Sequence, residues 1–197
     1  REIKKIACVG SGVIGASWAT NFLLKGYPVT LYDIEDGFLL KARERIEKNF
    51  AFLREKAVVG GEQIAAALGR ASYTTDLAAA VSDVQFIQES GPENYAVKQK
   101  LLAEMEKHTD YETTIASSTS GLLITEIAKF AKHPERCLGA HPYNPPHLIP
   151  LVEMTGGEKT GEDALKRAYD FYRALGKEPV ILRQEALGFI ANRLQAV

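Results

Sequence analysis

One short run, Ala140-His141-Pro142-Tyr143-Asn144-Pro145-Pro146-His147, carries two histidines, three prolines and an amide. Proline fixes φ, so such a loop loses little entropy on ordering and can hold a side chain at a set angle. An imidazole held there can take a proton from a hydroxyl near neutral pH. The same residues also suit a proline-stiffened turn whose histidine only bonds its neighbours. A metal held by His141 and His147 is the third option. It is the weakest, because residues six apart do not share a helical face and no cysteine joins them; no metal site is expected. Glu153 lies in the apolar run Leu151-Val152-Glu153-Met154. A carboxylate there is costly unless paired. An imidazole N–H is a partner whose tautomer the carboxylate would fix; an edge strand that turns Glu153 to water is the alternative. Ser117, Ser118, Thr119 and Ser120 form a small-hydroxyl loop that can donate to a bound oxygen or cap a helix. With no G-x-S-x-G elbow, a serine nucleophile is not supported.

A second constellation lies at the start of the chain. The apolar residues 6–9 stop at Gly10-Ser11-Gly12-Val13-Ile14-Gly15, and a helical apolar pattern (Val13, Ile14, Trp18, Phe22) follows. Strand, glycine turn and helix in that order make a dinucleotide fingerprint. Gly10 turns the chain off the strand, Gly12 lets a pyrophosphate reach the backbone, and Gly15 lets the helix lie close to the strand. The helix then presents free N–H groups and a positive dipole end to the phosphates. Residues 27–32 read as the next strand, and Asp33 follows eighteen residues after Gly15, near the roughly twenty expected for an acid that binds a ribose diol. Asp33, Glu35 and Asp36 together would repel a 2′-phosphate, which favours NAD over NADP. The competing reading is a glycine-rich turn of another α/β domain, followed by an acidic loop.

The elements that must position these residues alternate between strand and helix, which predicts a doubly wound, mainly parallel α/β sheet of the Rossmann type. Strands are expected at 6–9, 27–32, 72–74, 83–89, 113–116, 136–140, 151–154 and 179–182. Helices are expected from near 13, then at 38–56, 63–68, 77–81 (capped by Asp76), 93–107, 124–131 and 162–175. In such a sheet ligands bind beyond the carboxyl ends of the strands. The loops there carry the glycine turn, Asp33, Glu89 to Glu93, the hydroxyl loop and the His141 loop.

The chain has 197 residues, is 46% hydrophobic and 25% charged, and has net charge −1. That balance gives no electrostatic footprint for nucleic acid, and no apolar run is long enough to span a membrane. Cys8 and Cys137 each sit in an apolar run, as buried thiols of a reducing compartment would, so a cytoplasmic setting is expected. The first residue is Arg, and residues 188–197 end inside an apolar helical pattern. The expectation is a fragment of a longer enzyme.

Taken together these segments resemble the NAD-dependent L-3-hydroxyacyl-CoA dehydrogenase family, as its N-terminal cofactor domain. The matching residues are the glycine turn, Glu93 with Lys98, the Ser117 to Ser120 loop, His141-Pro142-Tyr143-Asn144-Pro145, Leu151-Val152-Glu153 and Gly188-Phe189-Ile190-Ala191-Asn192-Arg193. The resemblance implies a hydride passed between the C3 hydroxyl carbon of an L-3-hydroxyacyl substrate and NAD. It implies His141 as base, Glu153 as its partner, Ser120 touching substrate and cofactor, and Asn192 in the substrate site. Gly10, Ser11, Gly12, Val13, Ile14, Gly15, Asp33, Glu93, Lys98, Ser120 and Asn144 would line the cofactor; from sequence alone, Lys98 reads as a helix-surface lysine. It further implies fatty-acid metabolism, a domain at residues 1–184, and residues 185–197 leading into a helical substrate and dimerisation domain absent from this chain. Pro142 and Tyr143 replace the two aromatics usual after the histidine. The run through Leu151 resembles the branch with lambda-crystallin, L-gulonate 3-dehydrogenase and carnitine dehydrogenase. That branch implies a 3-hydroxy acid without coenzyme A, or a crystallin-like NAD-binding protein without catalysis.

Overall fold

A computed structural model describes residues 2–195. Its centre is an eight-stranded sheet: β1 (Ile6–Val9), β2 (Val29–Tyr32), β3 (Ala71–Thr74), β4 (Phe86–Glu89), β5 (Thr114–Ser117), β6 (Cys137–Pro142), β7 (Leu151–Gly156) and β8 (Glu178–Leu182). The spatial order is β3-β2-β1-β4-β5-β6-β7-β8. All neighbours run parallel except β6 and β7, which pair antiparallel. The helices are α1 (Val13–Leu24), α2 (Asp36–Glu55), α3 (Gly61–Leu68), α4 (Leu77–Val81), α5 (Tyr95–Glu106), α6 (Ile124–Ile127), α7 (Glu162–Ala174) and α8 (Ala191–Gln195). This is the doubly wound Rossmann architecture. The chain winds outward from β1 to β3, then crosses back to β4. The crevice at that reversal opens beyond the ends of β1 and β4.

Strand periodicity sorts the core into two layers, because alternate side chains face opposite sides of a sheet. Ile6, Cys8, Phe86, Ala116 and Leu138 join α1, α2 and α7 on one face. Ala7, Val9, Ile87, Ile115 and Cys137 join α4, α5 and α6 on the other. On the first face Trp18 and Phe22 of α1 meet Tyr172 and Phe171 of α7 at ring separations of 5.4 and 5.9 Å. Aromatic pairs at such distances add to the area they bury.

Several boundaries differ from the sequence reading. The helix expected at 124–131 is the single turn α6, and Pro134–Arg136 form a 3-10 turn before β6. The helix expected from 93 begins at Tyr95, because Asn94 caps it by accepting the Val97 N–H at 3.1 Å. Residues 188–190 form a turn, with α8 beginning at Ala191; Ala196 and Val197 lie outside the described residues. Cys8 and Cys137 are buried free thiols, and burial pushes the Cys137 thiol up to about 12. No helix among the described residues is long and apolar enough to cross a membrane.

Candidate active site

The glycine turn is built as its spacing demands. Gly10 has φ +93°, and a Cβ there would lie 2.6 Å from the Ser90 backbone. A Cβ on Gly15 would lie 1.9 Å from the Gly10 carbonyl oxygen, so α1 reaches this closeness only with hydrogen at that position. Gly12 caps α1 without any side-chain bond, and a Cβ on it would meet nothing within 4 Å. An uncapped helix start facing open space is what a pyrophosphate requires. Asp33 accepts the Ser11 N–H at 2.8 Å and the Ser11 hydroxyl at 2.7 Å on one oxygen, and the Ile34 N–H at 2.8 Å on the other. The acid therefore holds the turn in shape while it stands on the wall of the crevice. A cavity of about 800 Å³ is lined here by Gly10, Ser11, Gly12, Asp33, Phe38 and Ser90, among others. Open backbone, helix terminus, acid and apolar wall fit a dinucleotide, with Ile34 and Phe38 exposed beside Asp33.

A second cavity of about 490 Å³ shares Ser90 and Gly91 with the first and runs to His141. Ile14, Glu93, Ser118, Ser120, Tyr143, Asn144 and Asn192 line it too. β6 and β7 place His141 directly opposite Glu153. His141 Nδ1 and Glu153 Oε2 lie 2.8 Å apart, with Glu153 only 3% exposed. The other carboxylate oxygen accepts the N–H groups of Ile190 and Ala191 at 3.1 and 3.2 Å. Glu153 is thus paired rather than turned to water. A carboxylate held this way accepts the Nδ1 proton, which leaves Nε2 as the basic nitrogen. Nε2 makes no hydrogen bond among the described residues, and the ring packs between Tyr143 and Phe189 at 5.7 and 5.4 Å. Phe189 sits at φ +49°, rare for a bulky residue, just after Gly188 at φ +76°. This turn starts α8 against Glu153 and brings Asn192 to the hydroxyl loop.

Glu93 organises that loop. One of its oxygens accepts from the Thr119 hydroxyl at 2.6 Å, the Ser120 N–H at 2.9 Å, the Ser120 hydroxyl at 3.3 Å and the Gly121 N–H at 3.1 Å. Asn192 donates its amide to the Ser120 carbonyl at 2.7 Å. Asn144 is exposed on the cavity wall.

Lys98 differs from the surface lysine read from sequence. It is 1% exposed, donates to both oxygens of Glu89 at 2.8 and 2.9 Å and to the Gly91 carbonyl at 3.2 Å, and lies 3.8 Å from Glu93. It lines neither cavity described above. Glu89 also accepts from the Ser117 hydroxyl and, at 2.6 Å, from the Gly91 N–H. This buried pair braces the loop between the two cavities, with its charges satisfied as burial requires.

Sequence reading missed another buried chain. The Tyr172 hydroxyl donates to Gln88 Oε1 at 2.6 Å, Gln88 Nε2 donates to the Ser118 hydroxyl at 2.9 Å, and Ser118 lies 2.8 Å from the Ser90 hydroxyl. The available signal was a glutamine within the apolar strand β4. His147 does not join His141: its Nδ1 lies 2.7 Å from the Ser17 hydroxyl. The described residues hold no group of three metal-ligating side chains.

Comparisons with known proteins identify the family. Residues 5–186 match the family model described as 3-hydroxyacyl-CoA dehydrogenase, NAD binding domain. The L-carnitine dehydrogenase of Streptomyces griseus is 42% identical over 194 residues, covering 98% of this chain and 57% of that protein. The chain therefore spans little more than half the length of this curated relative. Among solved structures, FadB2 of M. tuberculosis superposes with TM-score 0.94 at 32% identity, covering 98% of this chain and 68% of that one. The (S)-3-hydroxybutyryl-CoA dehydrogenase of Ralstonia eutropha does so with TM-score 0.94 at 27% identity, with the same coverages. With the glycine crevice and the family match in agreement, this chain belongs to the 3-hydroxyacyl-CoA dehydrogenase family and is an NAD-binding domain of it.

Proposed function

We propose that the protein carrying this chain is an NAD-dependent dehydrogenase of a small 3-hydroxy acid, with His141 as general base. The observation that carries this is the His141–Glu153 pair, whose histidine lines a cavity that shares Ser90 and Gly91 with the glycine crevice. Nε2 takes the proton of the 3-hydroxyl as the C3–H bond breaks. Glu153 then faces an imidazolium and stabilises it, with its other oxygen already held by two backbone N–H groups. NAD, when bound, would supply the acceptor for the hydride that leaves C3. The glycine turn and α1 would hold its phosphates and Asp33 would take a ribose, while Glu93 sets the Ser120 loop. Ser120 and Asn192 bind the substrate oxygen, and Asn144 completes the wall on the cofactor side. Lys98 supports this arrangement through Glu89.

The L-carnitine dehydrogenase relatives favour a free acid over a coenzyme A ester, and so lead away from fatty-acid metabolism. In this proposal residues 1–184 are the cofactor unit, residues 185–197 lead into a helical domain that completes the pocket, and the whole protein is a soluble cytoplasmic homodimer. The crystallin-like reading without catalysis is disfavoured by the presence of His141, Glu153, Ser120 and Asn192 in one cavity wall and its support.

The test is NAD reduction by the full-length protein over L-carnitine, L-gulonate, L-3-hydroxybutyrate and L-3-hydroxybutyryl-CoA, for wild type and His141→Ala. The expected result is turnover on a free acid and a loss of at least about a hundredfold in the variant, the usual scale for a general base, with NADH still bound. Near-normal turnover by the variant would overturn the role of His141. Wild-type silence across the panel would return the crystallin-like reading.

A further inference from the structure

Lys177 is a buried cation that the proton chemistry leaves unused. It follows Gly176, whose φ of +80° turns the chain from α7 into β8. The Lys177 backbone N–H closes α7 on the Tyr172 carbonyl at 2.9 Å. Its side chain runs inward and is 3% exposed, with Nζ 5.4 Å from the Trp18 ring centre. Nζ donates to the carbonyls of Pro146 and, at 3.0 Å, Ile149. No carboxylate pairs with it among the described residues. The titratable groups facing it are Lys25, from the end of α1, and His147. Burial and the Lys25 charge hold its amine down to about 8.

The two carbonyls belong to the loop that follows His141. The same loop is gripped from its other side by α1. The buried Ser17 hydroxyl accepts the His147 N–H at 3.0 Å and lies 2.7 Å from the His147 ring nitrogen. Pro146, His147 and Ile149 are thus tied to two separate elements. Upstream of the ties, the loop contributes Tyr143 and Asn144 to the cavity wall beside His141. A slot over Trp18 would take a methionine of similar length without burying any charge. A lone cation there costs stability, so its donors, rather than its bulk, are what distinguish it.

We propose that Lys177 is a positioning residue for the reaction: by holding the Pro146 and Ile149 carbonyls it sets the loop that places Tyr143 and Asn144 around the reacting centre, with Ser17 as the matching tie from α1. This rests on the reading of His141 as base. The side chain touches neither cavity, so it acts through the loop.

The test compares Lys177→Met, Ser17→Ala and His141→Ala in the full-length protein, on whichever substrate of the panel turns over fastest. The readouts are kcat, KM, NADH affinity by fluorescence titration, and the melting transition. Lys177→Met should melt cooperatively and bind NADH within about twofold of wild type, with kcat reduced about tenfold. Ser17→Ala should lose about threefold in kcat with the same signature. If Lys177→Met does not fold, Ser17→Ala carries the test. A folded Lys177→Met with kcat within twofold of wild type, while His141→Ala is nearly silent, overturns the strap and leaves the base. So does a kcat loss matched by an equal loss of NADH affinity. Turnover retained by His141→Ala removes both readings.

Discussion

The two ends of the crevice are built on opposite principles. Around β1 and β2 the polar wall is local in sequence, with a glycine turn, the start of α1 and one acid inside residues 10–33. Around β6, β7 and β8 it is held in place by side chains brought from far apart in the chain. Glu153 reaches Ile190, Lys177 reaches Pro146, Ser17 reaches His147 and Asn192 reaches Ser120. The first kind of surface has little tolerance, since Gly10 and Gly15 lie against main chain with no room for a Cβ. The second kind is a set of separate ties that can be cut one at a time. One end should therefore fail as a unit, and the other by degrees.

The sharpest way to break that contrast is Gly15→Ala. The added methyl falls 1.9 Å from a backbone carbonyl, so the turn must open. We expect destabilisation on the order of 3 kcal/mol, at the high end for one substitution, and no measurable NADH binding by fluorescence titration. A variant that binds normally would show that α1 can shift as a whole. Asp33→Ala removes both the proposed ribose acceptor and the bonds to Ser11. The loss of charged hydrogen bonds should weaken NADH affinity by roughly 1.5–3 kcal/mol, read in the same titration, with less effect on folding than Gly15→Ala.

The smallest effect is a pH dependence at the other end. Burial lowers the Lys177 amine to about 8, below the ordinary 10.5, and lowers His147 below 6.5. In both windows the unfolded chain binds more protons than the folded one, so stability rises with pH. The contribution from Lys177 should add about 1–2 kcal/mol between pH 7.5 and 9.5. Urea unfolding at those two pH values should show the rise in wild type and not in Lys177→Met. The His147 contribution should appear as stability lost when pH falls below 6.5. An alkaline rise that survives in Lys177→Met would assign it to another group.

The glycine end was legible because its determinants are local. Three glycines at fixed spacing need no distant partner to be interpreted, and Asp33 follows at the end of the next strand. The alternation within β1, β4 and β5 likewise sorts the core into its two faces without further information. Lys98 reads as a surface residue in sequence, because an ordinary helical lysine is solvated, yet it is 1% exposed. Only the Glu89 carboxylate, brought close by the loop after β4, makes its burial tolerable. The helix expected at 124–131 shortened because the chain must turn into the 3-10 segment at Pro134 before β6. The Tyr172–Gln88–Ser118 chain gave a single hint, a buried amide in a strand, and no hint of its partners.

By itself the amino-acid order determined the winding of strand and helix, the tight glycine turn into α1, and, with the acid after β2, the preference for NAD. Those follow from hydrophobic period, from the room that glycine leaves, and from one carboxylate's charge, all of which act over a few residues. Only the tertiary structure decided which nitrogen of His141 faces Glu153, that Lys98 is interior, and that Lys177 and Ser17 bond the loop beyond it. Each of those depends on a hydrogen bond between segments whose meeting is set by β7 folding back antiparallel on β6 and by the docking of α1 and α7, and no spacing along the chain encodes that meeting.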